Sequence, residues 1–305
     1  MGYDDGFYYG QGKLICTSTA ETDNGKTVTV KNSAGKTWSG VLADGKYTVM
    51  LPAKDLYTIS LINAGEVQYT TDVIFGYGEC KVIEVGMDPA TPLGIKAIVN
   101  AGLETTFFQA GDEVLINESG TDVSFHVLHV GYKTDTYGHN IILGRNNIVT
   151  SKQMRDSNTN AGGYKATLVA QYLDEEYYSS LSQAWQDAIS TFEFQGSIGN
   201  QSTTLQVESH KVWVPQEYNI FGKTTNAATT EHTAGMNEQF AYFATEANRV
   251  KSKNGSASNW WLSSPSAGSS SGFCGVTSSG AAGNNNAGNS YGVLPCFMIA
   301  ANNQQ

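Results

Sequence analysis

Apolar and polar side chains alternate through the first third of the chain, with the period of strands that bury one face. Turn-forming sequences such as Asp23-Asn24-Gly25 and Asp44-Gly45 separate the alternating runs. About seven strands in about 75 residues are typical of a small β-sandwich. The runs are KLICTST (13–19), KTVTVKN (26–32), KTWSGVL (36–42), KYTVMLP (46–52), LYTISLI (56–62), EVQYTTDVI (66–74) and CKVIEVG (80–86).

The pattern changes after residue 88. The sequence Asp88-Pro89-Ala90-Thr91-Pro92 holds two of the six prolines and is the best candidate for a linker. Beyond it, the apolar runs Glu113–Asn117 and Val123–Tyr132 predict a hairpin that turns at Glu118–Thr121. A further strand-like run covers Lys211–Pro215.

Two helices are predicted in this second region. The first begins at Leu173, where three acidic residues suit the positive end of the helix dipole, and apolar positions at steps of three or four extend it to Ile189. The second covers Met236–Asn248. Strands and helices in separate runs predict an α+β domain.

The last 52 residues, Asn254–Gln305, carry no charge. From Asn254 to Ser290, 29 of 37 residues are Ser, Gly, Asn or Ala, a composition that alone would suit a disordered linker. Large apolar residues interrupt it, and a linker has no use for them. We therefore predict short strands anchored in a core, with polar loops between them. The anchors are Trp260, Trp261, Leu262, Phe273, Val276, Tyr291, Val293, Phe297 and Ile299.

Chain length indicates the number of domains, and the charge and the apolar runs limit the possible partners. A chain of 305 residues suggests two domains. The net charge of −10 and the lack of a Lys/Arg cluster exclude a nucleic-acid footprint. No apolar run approaches the roughly 18 residues that span a bilayer, and the polar start Met1–Gly10 does not resemble a signal peptide.

The four cysteines form no CxxC pair, so a zinc ribbon is not predicted. A disulfide between Cys16 and Cys80 is one possibility, and we favour buried free thiols. A Cys/His nucleophile at Cys274 or Cys296 needs a nearby base, and no histidine follows His232.

No metal or cofactor site is predicted. His126 and His129 point to opposite faces of a regular strand and cannot share a metal without a bulge. Asp174, Glu175 and Glu176 are explained by the helix start. Ala161-Gly162-Gly163 lacks the Lys and Ser/Thr of a phosphate loop. Stacking of a sugar on Trp260 or Trp261 is an alternative to a structural role, which we favour for both rings.

Several motifs between Gly111 and Ala300 occur together in one known family. They are Gly111–Val114 with Phe125–Val130, then Ile148–Thr150, Met154, Gly162–Tyr164, Tyr172–Leu173 and Tyr177–Tyr178, then Lys211–Pro215 with Glu217 and Gly222, and finally Trp260–Pro265, Phe273, Val276, Gly280 and Gly292–Phe297. This region resembles the variable proteins of diversity-generating retroelements from phages and gut bacteria. These have a C-type-lectin-like fold related to formylglycine-generating enzymes.

The chain departs from that family at Ser263 and Leu294, where Arg is common, and at Cys296, where a small residue is common. The catalytic cysteines of formylglycine-generating enzymes are not identifiable, so the resemblance implies a binding protein and not an enzyme. The alternating runs predict residues 11–88 as an immunoglobulin-like sandwich after a tail at 1–10. The resemblance implies residues 89–305 as a C-type-lectin-like domain with a variable segment at about 259–297.

The resemblance also implies a mechanism, in which adenine-directed mutagenesis diversifies chosen surface codons between fixed core residues. Ser, Gly, Asn and Tyr also dominate antibody loops, where they combine adaptable hydrogen bonding with rigid aromatic area. The expected ligand-binding residues are Ser263, Ser266, Gly268, Ser269, Ser271, Ser278, Asn284, Asn285, Asn286, Asn289 and Tyr291. Because most are small, we expect weak single-site affinity that multivalency raises.

The expected partner is a protein or glycan receptor on a target cell, with the chain on a phage tail or a bacterial surface. A homo-oligomer is compatible with this role, and neither nucleic acid nor membrane insertion is expected. Two alternatives stay open: a structural virion component without a specific ligand, and an enzyme of the formylglycine-generating branch.

Overall fold

The computed structural model describes residues 10–18, 23–63, 66–232 and 237–301. The chain divides into two compact units, Met1–Leu103 and Glu104–Gln305. The architecture is mixed α+β with a majority of strands, which confirms the predicted class.

Unit 1 is built from two sheets around one core. The first sheet has the order β4-β1-β7 and the second β3-β2-β5-β6. Leu14, Val28, Tyr57 and Ile59 are fully buried between them. The strands are β1 (Gln11–Thr17), β2 (Thr27–Asn32), β3 (Thr37–Val41), β4 (Lys46–Pro52), β5 (Leu56–Asn63), β6 (Glu66–Ile74) and β7 (Cys80–Glu84).

These seven strands confirm the seven alternating runs. In β1, for example, buried residues alternate with half-buried ones along the whole strand. Cys16 is buried, as expected, but Cys80 is exposed, and both are free thiols. In the parallel pair of β1 with β7, Cys80 lies opposite Lys13 and Ile83 opposite Cys16. Since alternate residues face opposite sides, Cys80 shares the outer side with Lys13.

The proposed linker leads directly into a helix. Thr91 caps α1 (Pro92–Asn100) by accepting a hydrogen bond from the Gly94 N–H, and Pro92 occupies the first helical turn, where its missing N–H costs nothing. Unit 1 extends through this helix to Leu103.

Unit 2 holds the remaining elements. Its strands are β8 (Glu113–Glu118), β9 (Thr121–Val130), β10 (Asn140–Arg145), β11 (Thr150–Gln153), β12 (Phe192–Ser197), β13 (Leu205–His210), β14 (Lys251–Lys253), β15 (Ser256–Ser258), β16 (Trp260–Pro265), β17 (Gly272–Val276), β18 (Ala282–Asn286), β19 (Ser290–Val293) and β20 (Cys296–Ala300). Its helices are α2 (Glu104–Phe107), α3 (Thr134–Tyr137), α4 (Leu168–Gln171), α5 (Tyr178–Ser180), α6 (Gln183–Ala188) and α7 (Glu217–Phe221).

Two larger sheets organise unit 2, with the orders β20-β10-β9-β8 and β11-β19-β16-β17-β18. The predicted hairpin is confirmed as β8 and β9. Aromatic rings fill the core: Phe125 packs on Phe297 with ring centroids 5.6 Å apart, and Phe192 stacks on Trp213 at 4.2 Å. Eight of the nine predicted anchors of the tail are buried in short strands, as the sequence predicts, and the ninth, Tyr291, is half-buried.

The helix predicted over residues 173–189 is wrong in its bounds. The helical segment begins at α4, where the side chain of Thr167 accepts from the Ala170 N–H, and it continues through a π-helical turn (Tyr172–Tyr177) into α5. Leu181 and Ser182 are extended, and α6 follows. The acidic residues therefore lie inside the helix and not at its start.

Two further predictions are corrected. Within the described part of 236–248 the backbone forms two 3-10 turns, Ala241–Ala244 and Glu246–Arg249, and Met236 lies outside the described residues. Lys211–Pro215 is not a strand; it makes one bridge, Trp213 to Cys296. In the described residues, no helix is both long and apolar enough to cross a lipid bilayer.

Candidate ligand-binding surface

The five-stranded sheet β11-β19-β16-β17-β18 carries the candidate residues. Its central strands β16 and β17 are buried along their whole length. The edge strand β18 alternates between exposed and half-buried residues and pairs with β17 from Gly272–Asn286 to Val276–Ala282. A rigid interior thus supports an edge and loops that face solvent.

Nine of the eleven predicted residues lie at the surface, and together they define the display surface. Gly268, Ser278, Asn284, Asn286 and Asn289 are exposed, whereas Ser269, Ser271, Asn285 and Tyr291 are half-buried. Hydrogen bonds join several of them: Ser271 Oγ donates to Asn286 Oδ1 at 3.0 Å, and Asn289 Nδ2 donates to Asn285 Oδ1 at 2.8 Å.

The prediction that Ser263 and Ser266 lie at the surface is wrong, because each residue is only 2% exposed. The Ser263 N–H donates to the carbonyl of Pro215, and the Ser266 N–H donates to the carbonyl of Gly272. The register of β16 against β17 also shifts between Trp261 and Pro265, so simple alternation does not place these serines outside. They support the surface from beneath and cannot touch a partner.

Asn160, which the sequence did not single out, holds the base of the loop 266–272. It is fully buried. Its Nδ2 lies 2.8 Å from the carbonyl oxygens of both Ser269 and Gly272, and the Asn160 N–H donates to the carbonyl of Ser270. Because one side chain satisfies several carbonyls of the loop, it fixes the loop without using the side chain of any display residue.

Glu217 fixes a second loop, at residues 225–227, in the same way. This fully buried carboxylate accepts hydrogen bonds from the backbone N–H groups of Thr225, Asn226 and Ala227, all with Oε2 at 2.8–2.9 Å. Asn226 in turn accepts from Asn284 Nδ2 at 3.0 Å through its side chain. A buried anion with several N–H partners remains stable without a cation, and here it ties the 225–227 loop to the edge of the display surface.

The ring of Tyr291 lies over β16 and β17. Its ring centroid is 4.6 Å from that of Trp261. Trp260 and Trp261 are both fully buried, which confirms the favoured structural role of both rings. A Cβ on Gly275 would come within 3.3 Å of the Tyr291 ring and 2.9 Å of the Trp260 carbonyl. Glycine is therefore required for this close approach.

Glu231 is a buried carboxyl beneath the sheet. Burial raises its pKa to about 7, and the charges of Glu217 and Glu208 act in the same direction, against hydrogen bonds from Ser264 and Ser197. The Ser197 N–H donates to Oε1 at 2.8 Å, while Oε2 is buried without a hydrogen-bond partner in the described chain.

The buried His210 lies between the buried carboxylate of Glu208 and the exposed carboxylate of Asp174. Its Nδ1 lies 2.8 Å from Asp174 and its Nε2 3.3 Å from Glu208. Burial alone would lower the pKa of His210, but both carboxylates outweigh it and raise the pKa to about 9. Asp174 thus has a partner that the helix-start explanation did not foresee.

The two tail cysteines and the histidines of β9, considered above as chemical groups, lie in packed surroundings. Burial raises the pKa of Cys274 and Cys296 well above the usual range, which disfavours the reactive thiolate. A register shift in the β9–β10 pair leaves Leu128 unmatched, so His126 and His129 share one face after all. There His126 stacks on Tyr242. No group of three or more metal-binding side chains occurs among the described residues.

Comparison with known proteins gives one family and weak structural neighbours. No curated protein matches the chain. The Bacillus anthracis TIE protein is 21% identical over 25% of this chain and 15% of its own length, with a TM-score of 0.21. The pilus adhesin RrgA from Streptococcus pneumoniae is 12% identical over 67% of this chain and 33% of its own length, with a TM-score of 0.17. Both scores are too low to indicate a shared fold.

The model of one family, described as "Domain of unknown function (DUF6273)", matches residues 138–301. That range covers more than half of the chain and includes every residue of the display surface. The chain belongs to the DUF6273 family.

Proposed function

We propose that this chain is a receptor-binding protein whose display surface recognises a protein or glycan on a target cell. The observation that carries the proposal is the contrast between Asn284, Asn286 and Asn289, which are exposed, and the strands β16 and β17, which are buried throughout. Side chains at the first set of positions can change without loss of core contacts.

The supports beneath the surface favour the same role. Asn160 binds carbonyl oxygens of the loop 266–272, and Glu217 binds backbone N–H groups of the 225–227 loop. The side chain of Asn284 also bonds to the second of these loops, at Asn226. A loop held through its backbone keeps its shape when its side chains are exchanged. This is the physical requirement for a diversified binding surface on a C-type-lectin-like domain, the fold that we propose for unit 2.

The chemistry of the surface suits recognition rather than catalysis. Its nine residues carry no charge, so covering them does not bury an unpaired ion, which costs several kcal/mol. We propose that unit 1, as an immunoglobulin-like sandwich, attaches the chain to a phage tail or a bacterial surface, and that its display in several copies raises a weak single-site affinity.

The test is a binding screen with the full chain coupled to beads in many copies, against a panel of bacterial cells. We expect binding to a subset of strains and its loss in Ser278→Arg, because Ser278 is exposed and a long cation there disturbs a neutral interface. Ser39→Arg is the matched control, since Ser39 is an exposed strand residue in unit 1. Binding that is lost equally in both variants, or no binding to any strain, argues against the proposal.

A further inference from the structure

Three side chains form a row at one edge of the display surface. Lys152 on β11 lies directly opposite Tyr291 on β19, so both side chains project from the same face of the sheet. The Lys152 Nζ lies 4.3 Å from the ring centroid of Tyr172. All three residues are half-buried, so this edge of the sheet offers two tyrosine rings and an ammonium group to solvent.

The row is held in place from below. Tyr291 rests on the buried ring of Trp261, and Trp261 Nε1 donates a hydrogen bond of 2.8 Å to the carbonyl of Lys152. Tyr172 belongs to the π-helical turn, where its ring contacts Tyr177. Because the aromatic groups are fixed before any ligand arrives, little conformational entropy is lost on binding.

The ammonium of Lys152 has no carboxylate within ion-pair distance among the residues that the structure describes, although the chain has a net charge of −10. Its contact with the Tyr172 ring stabilises it only modestly, as cation–π pairs at exposed sites do. The ammonium is therefore free to bind an anion.

Two acidic groups lie near Tyr172. Burial raises the pKa of Tyr172, and the charges of Glu176 and Glu118 raise it further. Arg145 forms an ion pair with Glu118 at 3.1 Å. Glu118 is thus paired with Arg145 and not with Lys152.

We infer that Tyr172, Lys152 and Tyr291 form a subsite for an acidic saccharide, with one sugar ring on Tyr291 and its carboxylate on Lys152. The C–H groups of a sugar ring carry partial positive charge and pack on the negative face of an aromatic ring, and an ammonium binds a carboxylate through charge-assisted hydrogen bonds. The inference rests on the proposed binding function. Lys152 and Tyr172 lie outside the variable segment at 259–297, so they supply a constant contact beside a changing one.

The test is a titration of the full chain with tetragalacturonate, with a neutral tetrasaccharide of galactose and with acetate, followed by calorimetry at low salt. We expect tetragalacturonate to bind most tightly, and Lys152→Met to weaken it about tenfold or more, while Lys152→Arg retains binding. Tyr291→Phe should retain binding and Tyr291→Ala should weaken it. Lys36→Met is the matched control, because Lys36 Nζ lies 4.8 Å from the Trp38 ring centroid in unit 1. Thermal melts identify variants that fail to fold.

Equal affinity for the acidic and neutral tetrasaccharides overturns the inference, as does acetate binding as tightly as tetragalacturonate. Unchanged affinity in a folded Lys152→Met protein also overturns it. A chain that binds its target cells but not tetragalacturonate refutes the saccharide subsite and leaves the proposed function standing. Failure of cell binding as well refutes both.

Discussion

The side-chain amide of Asn160 lies 2.8 Å from the carbonyl oxygen of Gly272, which follows 112 residues later in the chain. This contact joins a loop of the scaffold to the start of β17, at the base of the display surface. The conformation of the loop 266–272 therefore depends on a residue outside that loop.

Replacement of Asn160 by Ala is expected to loosen this loop. The change leaves buried carbonyls without partners, at a cost of about 1–3 kcal/mol in the free energy of unfolding. Hydrogen exchange should accelerate at the Ala287 N–H, which donates to the carbonyl of Ser271. Asn158→Ala is the control, because Asn158 bonds to this region at the exposed Gly288 N–H. Equal exchange at Ala287 in wild type and Asn160→Ala would contradict this role.

Glu217→Gln is expected to release the 225–227 loop. The amide nitrogen of Gln cannot accept from an N–H, so the donors at one of the two carboxylate oxygens lose their acceptor. We expect a loss of about 2 kcal/mol and faster exchange at the Ala267 N–H, which donates to the carbonyl of Asn226. The exposed Glu113→Gln change should alter neither quantity. Retained protection at Ala267 in the Glu217 variant would show that the loop is held by other contacts.

Glu231 should make stability fall as the pH rises. Its pKa is about 7 in the folded chain against an ordinary 4.5, so the folded state holds the proton more tightly than the unfolded state. The resulting stability is fully present below pH 4.5 and is lost as the pH rises to about 7, with an amplitude of at most about 3 kcal/mol. Glu231→Gln should remove this slope in urea denaturation at several pH values. A slope that persists there, or that disappears in the exposed control Glu176→Gln, is the opposing result.

His210 should titrate in a separate window. Its pKa of about 9 in the folded chain lies above the ordinary 6.5, so its contribution is fully present below pH 6.5 and is lost as the pH rises through 9. Proton NMR of the imidazole should show this midpoint, and Asp174→Asn should lower it because one of the two carboxylates is removed. A midpoint near 6.5 in both proteins would mean that the cluster is not formed as described.

Local patterns predicted the strands of unit 1 and the buried anchors of the tail, because alternation and apolar spacing follow directly from one-sided burial. They failed where distant contacts decide. Thr167 starts the helical segment, although Asp174 and its acidic neighbours look like a helix start. Ser263 resembles the exposed serines in composition, yet a bond to Pro215 holds it inside.

The residues that support the display surface could not be predicted from the sequence either. Asn160 is one asparagine in a polar loop, and only its contacts in the folded chain show that it binds the base of the 266–272 loop. The bulge that brings His126 and His129 to one face depends on the pairing of β9 with β10. Neither feature has a periodic signal.

The central claim is that exposed positions vary on a constant scaffold, and sequencing this gene in many relatives from one population tests it most directly. The account predicts that substitutions concentrate at the nine display residues, including Ser278, Asn284 and Asn289, and avoid Ser263, Ser266, Asn160 and the buried anchors. Substitutions spread evenly over residues 254–300, or falling on the buried serines as often as on the exposed asparagines, would contradict it.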